Sequence, residues 1–144
     1  MNVQDVTDTA WFHATSNHDW FAGVERSRFH GDTPPLVHVG TYKAALDRAR
    51  VIFRHSGDNA NLTVTLFEFR LSPEARVAAD FAIDEENLWE VLVGNRKMRG
   101  IDAQMYINRY EDEGSISMLV NPDLLVLESE KDITDLFQQS VSER

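Results

Sequence analysis

The hexapeptide WFHATS, residues 11 to 16, sets His13 between two aromatic residues and two small hydroxyl residues. A histidine so placed packs, binds a metal or holds a ligand. The other histidines, His18, His30, His38 and His55, are scattered, no His-Glu-x-x-His spacing occurs and the chain has no cysteine, so a metal site ranks lowest of the three. The missing cysteines also exclude disulfides, thiolate nucleophiles and ordinary iron–sulfur clusters. A second group of reactive side chains is Glu111-Asp112-Glu113 beside Gly114. Such carboxylates serve as acids, bases or stabilisers of positive charge, but taken alone they read first as a solvated loop tip. A third group is basic: Arg26, Arg28, Lys43, Arg48, Arg50 and Arg54 outnumber Glu25, Asp32 and Asp47. That local charge suits a small phosphorylated ligand or a solvated face opposite an acidic surface.

Periodicity supplies the elements that must position these residues. AWFHATS reads as a strand with Trp11, His13 and Thr15 on one face and Phe12 and Ala14 on the other. GDTPP is a turn and LVHVG a second strand ending at Gly40. Thr41 is a helix N-cap, Ala45, Ala49, Ile52 and Phe53 follow helical spacing, and Gly57 ends the helix. NLTVTLFEFRLS is a core strand whose apolar face changes along its length, which implies a bulge or burial on both sides. DEENLWEVLVGN reads as a helix capped by Asp84. AQMYINRYEDEGSISMLVNP is a hairpin with Met105, Ile107, Arg109 and Glu111 on one face and Tyr106, Asn108 and Tyr110 on the other, so either inward face carries polar groups. DLLVLES adds a strand, and DITDLFQQSV a helix docked through Ile133, Leu136 and Phe137. This order lacks βαβ alternation and predicts an α+β fold with mostly antiparallel pairing.

Taken in order, FHATS, HVGTYKAALDRA and YINRYEDEGSISMLVNP resemble the ADP-ribosyltransferase fold. The likeness is to its small phage and bacterial members of the histidine-type branch. Their first strand carries a His-Gly-Thr-like triplet, and their late hairpin reads much like Asn-x-x-Glu-Asp-x-Gly-Ser-x-Ser. It covers most of residues 11–127. The resemblance implies two small, roughly perpendicular, mostly antiparallel sheets flanked by helices around a central cleft that binds NAD+. It implies cleavage of the nicotinamide–ribose bond and transfer of ADP-ribose to a protein or nucleic-acid acceptor. NAD+ is then a substrate, and no metal is called for. By the same resemblance His13 hydrogen-bonds a ribose hydroxyl, Thr15 supports that sugar, and Arg28, Thr41 and Tyr42 complete the NAD+-binding set. The aromatic residue usual just before the turn is replaced by HVGT, which leaves Tyr42, His38 and Tyr106 as candidates to stack on nicotinamide, Tyr42 first. Glu111 matches the Asn-x-x-Glu spacing from Asn108 and is the favoured catalytic carboxylate. Glu113 is the alternative, through the Glu-x-Glu pair of arginine-modifying members. Those members typically carry arginine where this chain has His13. On an extended strand Glu111 and Glu113 would share a face.

The 144 residues, 42% of them hydrophobic, suffice for one domain spanning 1–144. Net charge is −10, with the acid excess almost wholly in residues 73–144, so broad binding to nucleic acid or anionic membrane is disfavoured. With no signal-peptide pattern and no apolar run of about 18 residues, the expectation is a soluble cytoplasmic protein without a membrane partner. The leading functional expectation is an NAD-dependent mono-ADP-ribosyltransferase. The alternatives are an NAD glycohydrolase, with water as acceptor, and a non-catalytic ADP-ribosyltransferase-like protein whose acidic C-terminal half engages a basic partner.

Overall fold

The computed structural model describes residues 3–16, 36–56, 62–79, 81–83 and 100–137. Along the chain run α1 (Val3–Asp8), β1 (Trp11–Thr15), β2 (Val37–Val39), α2 (Tyr42–Ser56), β3 (Thr65–Leu71), β4 (Ala82–Ile83), β5 (Ala103–Ile107), β6 (Ile116–Val120), a 3-10 turn (Pro122–Leu124) and β7 (Leu125–Asp132). They form a three-stranded sheet in the order β1-β3-β7 and a four-stranded sheet in the order β2-β6-β5-β4. The short pair β4 and β5 is parallel, and the other ladders are antiparallel. The fold is therefore α+β with two small, mostly antiparallel sheets.

Among the described residues, two cores join α2 and the two sheets. Trp11, Phe67, Phe69 and Leu71 of the first sheet pack against Val37, Val39, Met105, Met118 and Val120 of the second. On the other face of the first sheet, Ala14 and Leu66 pack against Ala45 and Ala49 of α2. β3 therefore buries apolar side chains on both faces only near its start, where Leu66 faces α2; Glu68 and Arg70 follow Leu66 on that face and are partly buried. Its register against β7 slips between Glu68 and Phe69, but the extra residue, Glu128, belongs to β7 and Phe67 and Phe69 stay on one face, so this slip does not produce the change of apolar face at Leu66–Phe67. The helical repeat of α2 falls on its buried side, where two alanines let the helix approach closely.

Tertiary contacts create two elements that local pattern does not announce. α1 has Val6 fully buried and accepts a 3.1 Å hydrogen bond from Trp11 Nε1 at the Val6 carbonyl. β4 contributes two residues to a parallel ladder with Tyr106 and Ile107. Of the three apolar residues expected to dock the last helix, Ile133 is buried and Phe137 stacks on Phe53 at 5.1 Å, whereas Leu136 is exposed. The GDTPP turn, the helix end at Gly57 and the helix capped by Asp84 lie outside the described residues. Among the described residues no helix is long and apolar enough to cross a membrane.

Candidate functional site

The edge strands of the two sheets meet at a single bridge. Phe12 N donates to Gly40 O at 2.7 Å and Gly40 N to Phe12 O at 2.9 Å. Gly40 fits there because a Cβ would stand 2.7 Å from Ser117 Oγ. Continued, this antiparallel register would set Ala14 opposite His38, with the His38 carbonyl on the β1 side. Instead the His13 ring takes that carbonyl, Nδ1 to His38 O at 2.8 Å. A carbonyl only accepts, so Nδ1 carries the proton and Nε2 of neutral His13 carries a lone pair. Burial pushes His13 down to about pKa 4 against the opposing hydrogen bond to His38, and positive charge on His38 and Arg48 lowers it further. His13 is accordingly neutral at physiological pH.

The four-stranded sheet gives its second face to polar groups. His38, Gln104, Tyr106 and Ser117 alternate with the core residues and share that face with Leu119, as the antiparallel registers require, and Asn108, just past β5, joins them through its hydrogen bond to Ser117. Tyr106, Gln104, Asn108 and Ser117 are buried while His38 is exposed. His38 Nδ1 meets the Tyr106 hydroxyl at 2.9 Å, and the two rings lie edge to face with centroids 5.7 Å apart. Hydrogen bonds compensate most of this desolvation, including Gln104 Nε2 to Met105 O at 2.9 Å, while Gln104 Oε1 is buried without a hydrogen-bond partner. The alternation of Tyr106 and Asn108 announces this face in the sequence. Ser117 is the last serine of the Asn-x-x-Glu-Asp-x-Gly-Ser-x-Ser likeness, whereas Gln104 is a further member that no motif singles out.

From Asn108 the chain leaves the sheet. β5 ends at Ile107, so the extended strand expected through Glu111 does not form and Glu111 and Glu113 do not share a strand face. The cause is the buried Asn108 side chain, which caps a turn. Its Oδ1 accepts the amides of Tyr110 and Glu111, both at 2.9 Å, and its Nδ2 donates to Ser117 Oγ at 3.0 Å. Asp112 (φ 47°) and Gly114 (φ 87°) then adopt left-handed backbone, which closes the loop onto Asn108 O through Gly114 N at 2.8 Å. Glu111 is left partly buried and Glu113 exposed. Asp112 ties the loop to the start of α2: Thr41 Oγ1 donates to it at 2.7 Å, Lys43 Nζ stands 3.6 Å from it, and its amide reaches Asp47 Oδ2 at 2.8 Å. Three stretches far apart in sequence, around His13, His38–Thr41 and Asn108–Asp112, are thus joined by short hydrogen bonds.

The chain matches no protein-family model, no curated protein and no solved structure.

The remaining sequence candidates are distributed unevenly around this junction. Thr15 ends β1 opposite Thr65. Thr41 spends its hydroxyl on structure, accepting the Ala44 amide at 3.0 Å as the cap of α2 while donating to Asp112. Tyr42 is 47% exposed and rests edge-on against Phe12, with centroids 5.5 Å apart. Arg28 lies outside the described residues. Arg48 is exposed on α2, and its charge reaches His13. Trp11, Thr41, Ser115 and Ile116 line an open pocket of about 370 Å³. Among the described residues no group of three or more His, Asp or Glu is arranged to hold a metal ion.

Proposed function

We propose that the protein is an NAD-dependent ADP-ribosyltransferase that cleaves the nicotinamide–ribose bond and passes ADP-ribose to a protein or nucleic-acid acceptor. The observation that supports this reading is the convergence of the three stretches that carry the family resemblance. Their hydrogen bonds bring His13, His38 and the Glu111 loop to one seam between two sheets.

In this reading His13 accepts a hydrogen bond from a ribose hydroxyl at Nε2. The bond to His38 O fixes the tautomer this needs, and burial keeps the ring neutral. As the C1′–N bond breaks, the electron pair leaves with nicotinamide and positive charge builds on the ribose. The Glu111 carboxylate, on a loop fixed by Asn108, stabilises that charge and orients the 2′-hydroxyl. Tyr42 offers an exposed ring for nicotinamide, and Arg48 a cation for the pyrophosphate. Glu113, exposed in the turn, contacts the acceptor rather than the ribose.

Incubation with NAD+ tests the reading. Modified protein or nucleic acid supports transfer, free ADP-ribose supports hydrolysis, and intact NAD+ with every acceptor defeats the enzyme claim in favour of a binding role. Glu111→Gln keeps shape and removes charge, so it should lower NAD+ turnover by about 10²–10³ while NAD+ still binds. Glu113→Gln should reduce turnover mildly or change acceptor choice. Reversed effects would make Glu113 the catalytic carboxylate.

A further inference from the structure

We infer that His38, oriented by Tyr106, is the base that removes the proton from the incoming nucleophile. This deepens the ADP-ribosyl reading above and rests on it.

The geometry separates two histidines by what their backbones and rings do. His13 is partly buried, and its Nδ1 proton is committed to a carbonyl. His38 is exposed on β2, with its carbonyl holding the His13 ring and its own ring held at Nδ1 by the Tyr106 hydroxyl, 2.9 Å away. Tyr106 is only 4% exposed, so the phenol is a fixed post rather than a mobile partner. A ring pinned at Nδ1 presents its other nitrogen away from the post. This role requires the tautomer in which Nδ1–H donates to Tyr106 Oη; Nε2 then has the lone pair a base needs, and the same bond persists once the ring becomes imidazolium. The ring therefore need not turn during the reaction. The His13–His38 bond fixes the spacing between the candidate ribose-binding ring and this base.

The chemistry balances without a further co-reactant. The C1′–N bond breaks, and its electron pair neutralises the nicotinamide ring. An acceptor X–H forms the new C1′–X bond with its lone pair, the X–H proton passes to His38 Nε2, and solvent then takes it. Glu111 serves bond cleavage, His38 serves the nucleophile, and Tyr106 is a positioning residue that touches neither.

Nucleophiles with and without a proton to lose distinguish these roles. NAD+ consumption is measured for wild type, His38→Gln and Tyr106→Phe with water, methanol or azide as acceptor. His38→Gln should lose about 10²-fold with water and methanol, and azide, which has no proton to give up, should restore most of the rate as ADP-ribosyl azide. Tyr106→Phe should show a smaller loss with the same azide recovery. In nitrogen NMR spectra it should also shift His38 away from the Nδ1–H tautomer. The NAD+ affinity of both variants should match that of wild type. If His38→Gln turns NAD+ over like wild type, or azide restores nothing, His38 is not the base and the ADP-ribosyl reading stands without it. If wild type never consumes NAD+, that reading fails and the base assignment falls with it.

Discussion

Thr41 and Asp112 lie 71 residues apart in sequence and are joined by a hydrogen bond of 2.7 Å. The same hydroxyl accepts the Ala44 amide at 3.0 Å, so one side chain caps α2 and anchors the loop that carries Glu111. Asp112 needs that anchor because it holds a left-handed backbone, φ 47°, that costs a non-glycine residue conformational energy. Thr41→Val removes both bonds at nearly constant shape. It should destabilise the protein by about 1–2 kcal/mol in urea unfolding, the usual range for a lost cap, whereas Thr41→Ser should stay close to wild type. Equal stability of Thr41→Val and wild type would show that the loop is held elsewhere.

A second prediction concerns the bridge between the sheets. A Cβ at Gly40 would sit 2.7 Å from Ser117 Oγ, and that oxygen is fixed by Asn108 Nδ2 at 3.0 Å. Gly40→Ala should therefore cost about 1–3 kcal/mol by overpacking, and its strain should pass to the Asn108 turn. The double variant Gly40→Ala/Ser117→Gly should recover part of the loss, because the clash goes while the core face of β6 is untouched. Additive losses in the double-mutant cycle would refute a direct clash.

His13 yields a pH prediction with a definite sign. Its folded pKa, about 4, lies below the ordinary histidine value, chiefly through burial. Below about pH 6.5 the unfolded chain takes up a proton that the folded chain refuses until about pH 4. His13 therefore makes stability fall as pH drops through that window and contributes no slope above it. Asp132 acts lower on the scale, since hydrogen bonds from Thr134 hold its carboxyl below the usual carboxylate range. Subtracting the stability profile of His13→Gln from that of wild type should isolate the slope between pH 4 and 6.5. An imidazole NMR titration of His13 near its ordinary value would contradict the burial argument.

The parts of this fold that can be read along the chain are those set by nearest-neighbour periodicity. Ala45 and Ala49 announce the buried side of α2, Thr41 its cap, and the change of apolar face in LFEFRL the two-sided strand β3. Elements that exist only through distant contacts leave weaker marks. α1 is fastened by Val6 and the Trp11 indole, and β4 is two residues recruited by Tyr106 and Ile107. The same division runs through the candidate site. Tyr106 on β5 and Asn108 just past its end alternate visibly in the sequence, yet the turn that Asn108 imposes on Glu111 depends on Ser117, supplied by the next strand. The link from His13 to His38 needs two edge strands to meet once and then part, and neither strand states this alone.

The last prediction concerns Arg48. This exposed cation on α2 has its charge felt at His13, and the proposed pyrophosphate contact would draw on the same charge. Removing it should do two things at once. Arg48→Gln should raise the His13 pKa, because one of the positive charges opposing protonation is gone. It should also weaken ADP-ribose binding measured by calorimetry, and flatten the decline of affinity with rising salt that a phosphate–guanidinium contact produces. Nicotinamide alone, which carries no phosphate, should bind the variant and wild type equally. An unchanged salt dependence with a raised His13 pKa would leave Arg48 near the imidazole but off the pyrophosphate. If neither quantity changes, the cation does not belong to the site at all. In that case the phosphates must be held by other groups, and Lys43, already beside Asp112 at 3.6 Å, is not free to replace it without loosening the Glu111 loop.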